Sequence, residues 1–278
     1  MVERKKFLFE EFKAKQGDIM WEEISAHVYK HAKIMSRRPG EIAWILLYPF
    51  IGILSLGILA FFLMSKGAPL DSMVFVFVGV MVWNFYGISQ RGITYGITFD
   101  IWNGCLRHSF TGKSSVRHFI IGNSIFGFLS SFAAFLIIGT VGIIFFGFNI
   151  FSAGIFLVNL FFVFMFATGI GLMINGLMVA YGEKYMSLIW MLTGIIMVFS
   201  GVYYPVSMLP GVVQAFSYAI PATHSIISIR AALGISLNGA TASLAIGAAL
   251  AFVYLAIGAL VFRYAVKMGK RSGMITRY

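Results

Sequence analysis

The feature that most limits how this chain can fold is a run of 65 residues, from His118 to Gly182, that contains no Asp, Glu, Lys or Arg. About a quarter of the residues in a soluble domain are charged, so a run of this kind predicts burial in a lipid bilayer. One continuous helix would be about 95 Å long, far more than the hydrocarbon core of about 30 Å. A turn signal lies at Gly147-Phe148-Asn149. The run therefore predicts two membrane-spanning helices, roughly Phe119 to Phe146 and Phe151 to Ala180.

Composition extends this interpretation to the whole chain. Of its 278 residues, 59% are hydrophobic and 11% are charged, and the mean hydropathy is +0.88. The net charge of +11 lies in short segments beside apolar runs, which favours the positive-inside rule over nucleic-acid binding. No nucleic-acid partner is expected. Cys105 is the single cysteine, so neither an intrachain disulfide nor a cysteine metal cluster is available.

Four further apolar runs complete the predicted topology. They are Ile42 to Met64, Ser72 to Gln90 with a helical continuation to about Phe99, Tyr185 to Val202, and Asn238 to Phe262. The fold class expected is thus an all-α integral membrane protein of six transmembrane helices. Arg91 lies near the end of the second span, where it is expected to snorkel toward the inner membrane surface. The alternative is that Arg91 lines a pore.

The charged N-terminal segment contains an amphipathic pattern. Between Asp18 and Arg38, one helical face carries Met20, Ile24, Val28 and Met35. We expect a helix lying on the inner membrane surface, with a solvated cytoplasmic helix as the alternative. No signal peptide is recognisable. The predicted organisation is a cytoplasmic segment (1–41), a six-span transmembrane domain (42–262) and a basic cytoplasmic tail (263–278).

The segment from Tyr203 to Arg230 is hydrophobic but is interrupted by Pro205, Pro210 and Pro221. It predicts two short re-entrant or outer surface helices between the fifth and sixth spans. A seventh crossing here would place the basic tail outside. With six spans, the cytoplasmic segments hold 18 of the 21 Lys and Arg residues, as the positive-inside rule requires. Both termini are therefore expected to be cytoplasmic.

Chemistry-bearing groups are scarce. No Asp or Glu falls within a predicted span, which argues against proton or sodium coupling and for energy supplied by a partner at the cytoplasmic face. The stretch from Arg107 to Ser114 departs from a phosphate-binding loop because Arg107 replaces the first glycine. His27 and His31 are four residues apart but have no evident third metal ligand, and exposed helical histidines are the simpler explanation. His224, in the outer segment beside Pro221, could polarise a substrate, but an activated nucleophile, a second base and an Asp-rich metal motif are missing. No catalytic, cofactor or metal site is predicted.

Two segments contain the most specific motifs of the chain. Ser200 to Leu233, SGVYYPVSMLPGVVQAFSYAIPATHSIISIRAAL, contains an aromatic-Pro turn, Leu-Pro, two predicted short helices, Pro with a nearby His, and a closing Arg-Ala. In this order of motifs it resembles the type-2 ABC (ATP-binding cassette) exporter permeases. Phe99 to Asn123, FDIWNGCLRHSFTGKSSVRHFIIGN, falls where the family has its coupling helix. Asn103 stands where a Glu is common, and Gly112-Lys113-Ser114-Ser115 replaces a Pro turn.

The resemblance implies a dimer of permeases, expected to be a homodimer in the cell membrane, on two separate ABC ATPase subunits that bind the ATP and Mg. The chain itself is then a transport subunit and not an enzyme. Coupling to the ATPase would fall to Asp100, Trp102, Gly104, Leu106 and Arg107. An outer gate would be formed by Tyr203, Tyr204, Pro205, Leu209, Pro210, Pro221, His224 and Arg230.

Cargo is the least determined part of the prediction. The outer loops are short, and the spans are rich in Phe without a charged lining, which favours export of an amphipathic or hydrophobic cargo such as a drug, antibiotic or lipid. A polysaccharide or lipid-linked glycan exporter is the alternative within the class. A channel or intramembrane enzyme that acts without an ATPase is the alternative from another class.

Overall fold

The computed structural model describes residues 21–40, 69–111, 116–146, 154–235 and 239–277, with scattered positions between 43 and 67. Helix α1 covers residues 21–36, and the described positions between 39 and 65, all helical, are together labelled α2. No strand occurs in these described residues, in agreement with the all-α prediction. The remaining helices are α3 (Leu70–Trp102), α4 (Leu106–Thr111), α5 (Val116–Phe146), α6 (Gly154–Tyr181), α7 (Leu188–Phe199), α8 (Gly211–Tyr218), α9 (Pro221–Ala232), α10 (Ala240–Arg271) and α11 (Met274–Arg277).

Among the described residues, four helices are long and apolar enough to cross a membrane, and the bent α8–α9 pair would be a fifth span if it crosses as one unit. The four helices contain the stretches Asp71–Trp102, Val116–Thr140, Gly154–Tyr181 and Ala240–Arg271, which correspond to the second, third, fourth and sixth predicted spans. The first predicted span, Ile42 to Met64, falls largely outside the described residues. The count of six spans therefore stays a prediction.

Helix α7 is shorter than the predicted fifth span. It has 12 residues, which at 1.5 Å per residue cover about 18 Å of a hydrocarbon core about 30 Å thick. Gly182, with φ of 91°, ends α6 in the left-handed region that favours glycine. A one-turn 3-10 helix, Glu183–Tyr185, then leads toward α7. The regular helix thus begins later than the hydrophobicity of the sequence indicated.

Helices α8 and α9 confirm the two short helices predicted between Tyr203 and Arg230. They meet at 90° across a short break. Pro210 precedes α8 and Pro221 is the first residue of α9, where a missing N–H costs no helical hydrogen bond and the fixed φ favours helix initiation. The prolines therefore set where both helices start.

The core is built around α6, which packs most extensively against α10 and also against α3 and α9. It is apolar on all sides, as expected for a membrane-embedded helix. Glycines bring α6 and α10 into backbone contact, since a Cβ placed on Gly258 would lie 2.2 Å from the carbonyl oxygen of Gly169. Helix α10 continues to Arg271, so the first part of the predicted basic tail is helical.

Helix α1 packs against the rest of the protein through a face that the sequence analysis identified only in part, at Ile24 and Met35. Its buried residues are Ile24, His27, His31 and Met35, and the two histidines are 8% and 1% exposed. The expectation that these histidines are exposed was wrong. Hydrophobic periodicity selected Met20 and Val28 instead, because it assigns histidine to the polar face.

Candidate functional site

The turn between α3 and α4 forms a corner that is fastened to α1. Asp100, on the last turn of α3, is 2% exposed and accepts hydrogen bonds from Lys30 Nζ at 2.8 and 2.9 Å. Ser109 Oγ on α4 donates to the same carboxylate at 2.5 Å. Gly104 has φ of 63°, which allows the sharp reversal between the two helices. One buried carboxylate thus joins three helices.

A second junction holds α1 against α5. His31 Nε2 lies 2.6 Å from Asn123 Oδ1, and the His31 ring stacks on Phe126 with centroids 5.2 Å apart. Burial, followed by the charge of Lys30, lowers the pKa of His31 to about 4. The same causes lower the pKa of His27. The His31 ring is therefore neutral at physiological pH, with its proton on the nitrogen that donates to Asn123.

The five residues predicted to couple to an ATPase fall into two groups. Asp100 and Leu106 are buried, and they hold the corner together. Trp102, Gly104 and Arg107 are exposed and form its outer surface. Arg38 lies beside this surface, with its guanidinium carbon 5.8 Å from the centroid of the Trp102 ring.

At the other end of α3, Arg230 anchors α9. It is 3% exposed and donates to the carbonyl oxygen of Phe75 from Nε at 3.1 Å and Nη2 at 2.8 Å. Nη1 donates to Gly201 O and Nη2 to Val202 O, both at 2.8 Å. A buried guanidinium needs such acceptors because an unsatisfied charge there is costly. Arg230 thereby fixes α9, the turn after α7 and the start of α3 relative to each other.

The other predicted gate residues belong to the same segment of the chain. His224 is buried, and its Nε2 lies 2.8 Å from the carbonyl oxygen of Tyr218. Tyr204 Oη donates to the carbonyl oxygen of Val198. Pro221 is buried, Tyr203 and Pro210 are exposed, and Tyr204, Pro205 and Leu209 are intermediate. The segment is thus a partly exposed cap held by buried polar contacts.

A cavity of about 420 Å³ lies between α2, α3 and α7. Arg91 forms part of its wall and is 7% exposed. The guanidinium carbon of Arg91 lies 5.0 Å from the centroid of the Trp190 ring. Thr193 Oγ1 donates to Gln90 Oε1 at 2.9 Å, which holds α7 against α3 on this side. The other lining residues are Ile51, Gly52, Val80, Trp83, Asn84, Gly194, Met197 and Tyr203.

A family profile described as ABC-2 type transporter matches residues 22–233, about three quarters of the 278 residues. The chain belongs to the ABC-2 type transporter family. No curated protein matches it. As an ABC-2 type transporter it is a multi-pass membrane permease subunit, of a family whose members pair with ABC ATPase subunits. The matched residues include the corner, the cavity and the α8–α9 pair.

Sequence analysis of this ABC-2 type transporter favoured a snorkelling Arg91, with a pore-lining Arg91 as the alternative, and the structure places the side chain in the wall of the cavity. The side chain folds back along α3, so that a Cβ on Gly87 would lie 3.2 Å from Nη1. Side chains on a helix tilt toward its N-terminus, and for α3 this direction leads away from the corner. Two features of the sequence indicate this direction of the Arg91 side chain. They are the direction of the helix and the glycine one turn before Arg91.

Proposed function

We propose that the chain is the permease of an ATP-driven exporter that moves an amphipathic or hydrophobic cargo out of the cytoplasm or inner leaflet by alternating access. The observation that carries this proposal is the cavity between α2, α3 and α7. Its volume of about 420 Å³ lies within the range of about 300–1,000 Å³ typical of sites for drug-sized ligands. Trp83, Trp190 and Tyr203 give its wall an aromatic surface.

The distribution of carboxylates supports ATP hydrolysis as the source of energy. Within the four candidate spans, Asp and Glu occur only at Asp71 and Asp100, near the two ends of α3. Asp100 is engaged by Lys30. No carboxylate is thus placed to carry a proton or bind sodium in the interior of these spans. Work for uphill transport would then come from ATP hydrolysis in the partner subunits.

The exposed surface of the corner is the proposed contact with the ATPase. Trp102 and Arg107 offer an aromatic and a cationic group, and both types of residue are enriched where proteins bind each other. The buried contacts of Asp100 and Leu106 make the corner stiff enough to pass force to α3. A second copy of the chain, forming a homodimer, would complete the pathway.

The α8–α9 segment is the proposed outer gate. Arg230 ties it to α3 and to the turn after α7. Movement of α3 or α7 would therefore be transmitted to the segment. Tyr203 belongs to both the gate and the cavity wall. Opening of the gate would therefore move Tyr203 and change the wall of the cavity.

Transport in vesicles tests this function directly. The permease, co-reconstituted with its ATPase subunits in inverted orientation, should accumulate a fluorescent amphipathic dye in the vesicle lumen when ATP is supplied. Vesicles containing an ATPase variant that binds but does not hydrolyse ATP provide the control. Dye movement that is the same with both ATPases would reject ATP-driven export.

A further inference from the structure

We propose that Arg91 binds the anionic group of an amphipathic cargo, so that the substrates of this transporter are negatively charged amphiphiles. This inference rests on the proposed function, because it specifies the cargo of the same cavity. Its basis is a single buried guanidinium set among aromatic walls. Neutral hydrophobic drugs would not need such a group.

The position of Arg91 along α3 supports this assignment. At 1.5 Å per residue, Arg91 lies about 16 Å along α3 from Trp102 and about 32 Å from Leu70. Its side chain turns toward Gly87, away from the Trp102 end. A charged side chain within a transmembrane helix is expensive, and such residues commonly face the interior of the bundle and mark ligand or ion pathways.

The charge contributed by the described residues that line the cavity is positive. Of those that the structure describes, Arg91 is the charged one, and the polar groups of Asn84 and Thr193 are uncharged. The planar guanidinium matches carboxylate, sulfonate and phosphate oxygens with two parallel N–H donors. Low polarity around the pair strengthens this attraction. The cavity therefore favours an anion over a neutral or cationic group.

The cavity also has an apolar surface that suits the apolar part of the cargo. Trp83, Trp190 and Tyr203 line the cavity together with Met197, and such side chains suit hydrocarbon and aromatic rings. Trp190 is 44% exposed while contacting Arg91, so that charge recognition and apolar contact are adjacent. A molecule with an anionic head and an apolar body satisfies both.

A matched pair of fluorescent probes tests the proposal. 1-Anilinonaphthalene-8-sulfonate is anionic, whereas N-phenyl-1-naphthylamine has the same ring system without the sulfonate. We expect saturable binding of the anionic probe to the permease in zwitterionic nanodiscs, after subtraction of empty nanodiscs. Arg91→Gln should weaken it by about tenfold or more, since hydrogen bonds to charged groups contribute about 1.5–3 kcal/mol. Binding of the neutral probe should change little.

Arg263→Gln is the matched control, because Arg263 is exposed on α10 and is absent from the cavity lining. It should leave the affinity for both probes unchanged. An equal loss of both probes in Arg91→Gln, or no loss of the anionic probe, would overturn the proposal. Absence of saturable binding in the wild-type chain, as expected if a second copy fills the cavity, would overturn it as well.

Two further measurements keep Arg91 in place and cover the case in which Arg91→Gln fails to fold. Energy transfer from tryptophan to the bound anionic probe should fall in Trp190→Phe but not in Trp21→Phe, whose side chain lies on α1. Decanoate should displace the probe, whereas methyl decanoate should not. Equal displacement by both would contradict recognition of the anion. These binding measurements require no ATPase, so they can fail while ATP-driven transport holds, and the reverse.

Discussion

His31 is held in its neutral form by the contacts that dock α1. Its ring is enclosed between α1 and α5 and donates to Asn123, and its pKa is lowered from 6.5 to about 4. In the undocked state the ring would titrate near its ordinary pKa. Protonation therefore favours undocking, and the docked arrangement loses stability as pH falls from about 6.5 toward 4.

This pH dependence gives a first prediction. At pH 5, the depressed pKa of His31 should make α1 docking about 2 kcal/mol less favourable than at neutral pH. Amide hydrogen exchange over residues 24–35, corrected for the intrinsic exchange rate at each pH, measures the effect. In His31→Gln, a side-chain amide can still donate to Asn123 but does not titrate, so the pH dependence should become smaller and leave the part that is due to His27, whose pKa is also lowered. An unchanged pH dependence in that variant would show that another group is responsible.

Individual residues also show which features of the structure could be predicted from the sequence and which could not. Pro210 and Pro221 located the starts of α8 and α9 because proline acts locally, through its fixed φ and missing N–H. The burial of His27 and His31 could not be predicted, because it depends on Asn123 and Phe119, nearly 100 positions away in the chain. Arg91 was placed in the correct span, but its direction depended on Gly87 and on the tilt of helical side chains.

At the scale of helices, α6 and α10 owe their close approach to paired glycines. A Cβ on Gly169 would lie 2.5 Å from the carbonyl oxygen of Tyr254, just as a Cβ on Gly258 would meet Gly169. Both obstacles are backbone atoms, which cannot rotate away. Small residues at such positions allow membrane helices to pack by van der Waals contact, without help from water.

Gly258→Ala should therefore force the two helices apart and destabilise the protein by about 1–3 kcal/mol, as overpacking typically does. Thermal unfolding in detergent measures the change. Gly154→Ala, at the start of α6, is the matched control, since a Cβ there meets nothing within 4 Å. Equal unfolding midpoints for the two variants would mean that the contact between Gly169 and Gly258 is not tight.

The α3–α4 corner is the element through which we expect work to enter. Arg107→Glu reverses a charge on its exposed surface while leaving the Asp100 and Leu106 contacts intact. In the reconstituted complex, transport per ATP hydrolysed should fall by about tenfold, the effect of about 1.4 kcal/mol at the contact. Lys66→Glu makes the same reversal in the turn before α3. A similar fall in both variants would point to net charge and would remove Arg107 from the coupling surface.

At the scale of the whole molecule, α3 connects the corner, the cavity and the α8–α9 pair. Its 33 residues span about 50 Å, more than the hydrocarbon core of about 30 Å. The corner lies beyond one end, and Arg230 fastens the α8–α9 pair near the other. The cavity lies between them along the same helix. A contact at the corner and a gate at α8–α9 can therefore act through one rigid element.

This arrangement requires the two ends of α3 to face opposite sides of the membrane, and thiol labelling with a membrane-impermeant maleimide in oriented vesicles tests it most directly. Native Cys105 is exposed at the corner and Ser207 is exposed in the gate segment. We predict that Cys105 reacts only from the cytoplasmic side, and that a Ser207→Cys chain with Cys105→Ser reacts only from outside. Reaction of both sites from the same side would contradict the account.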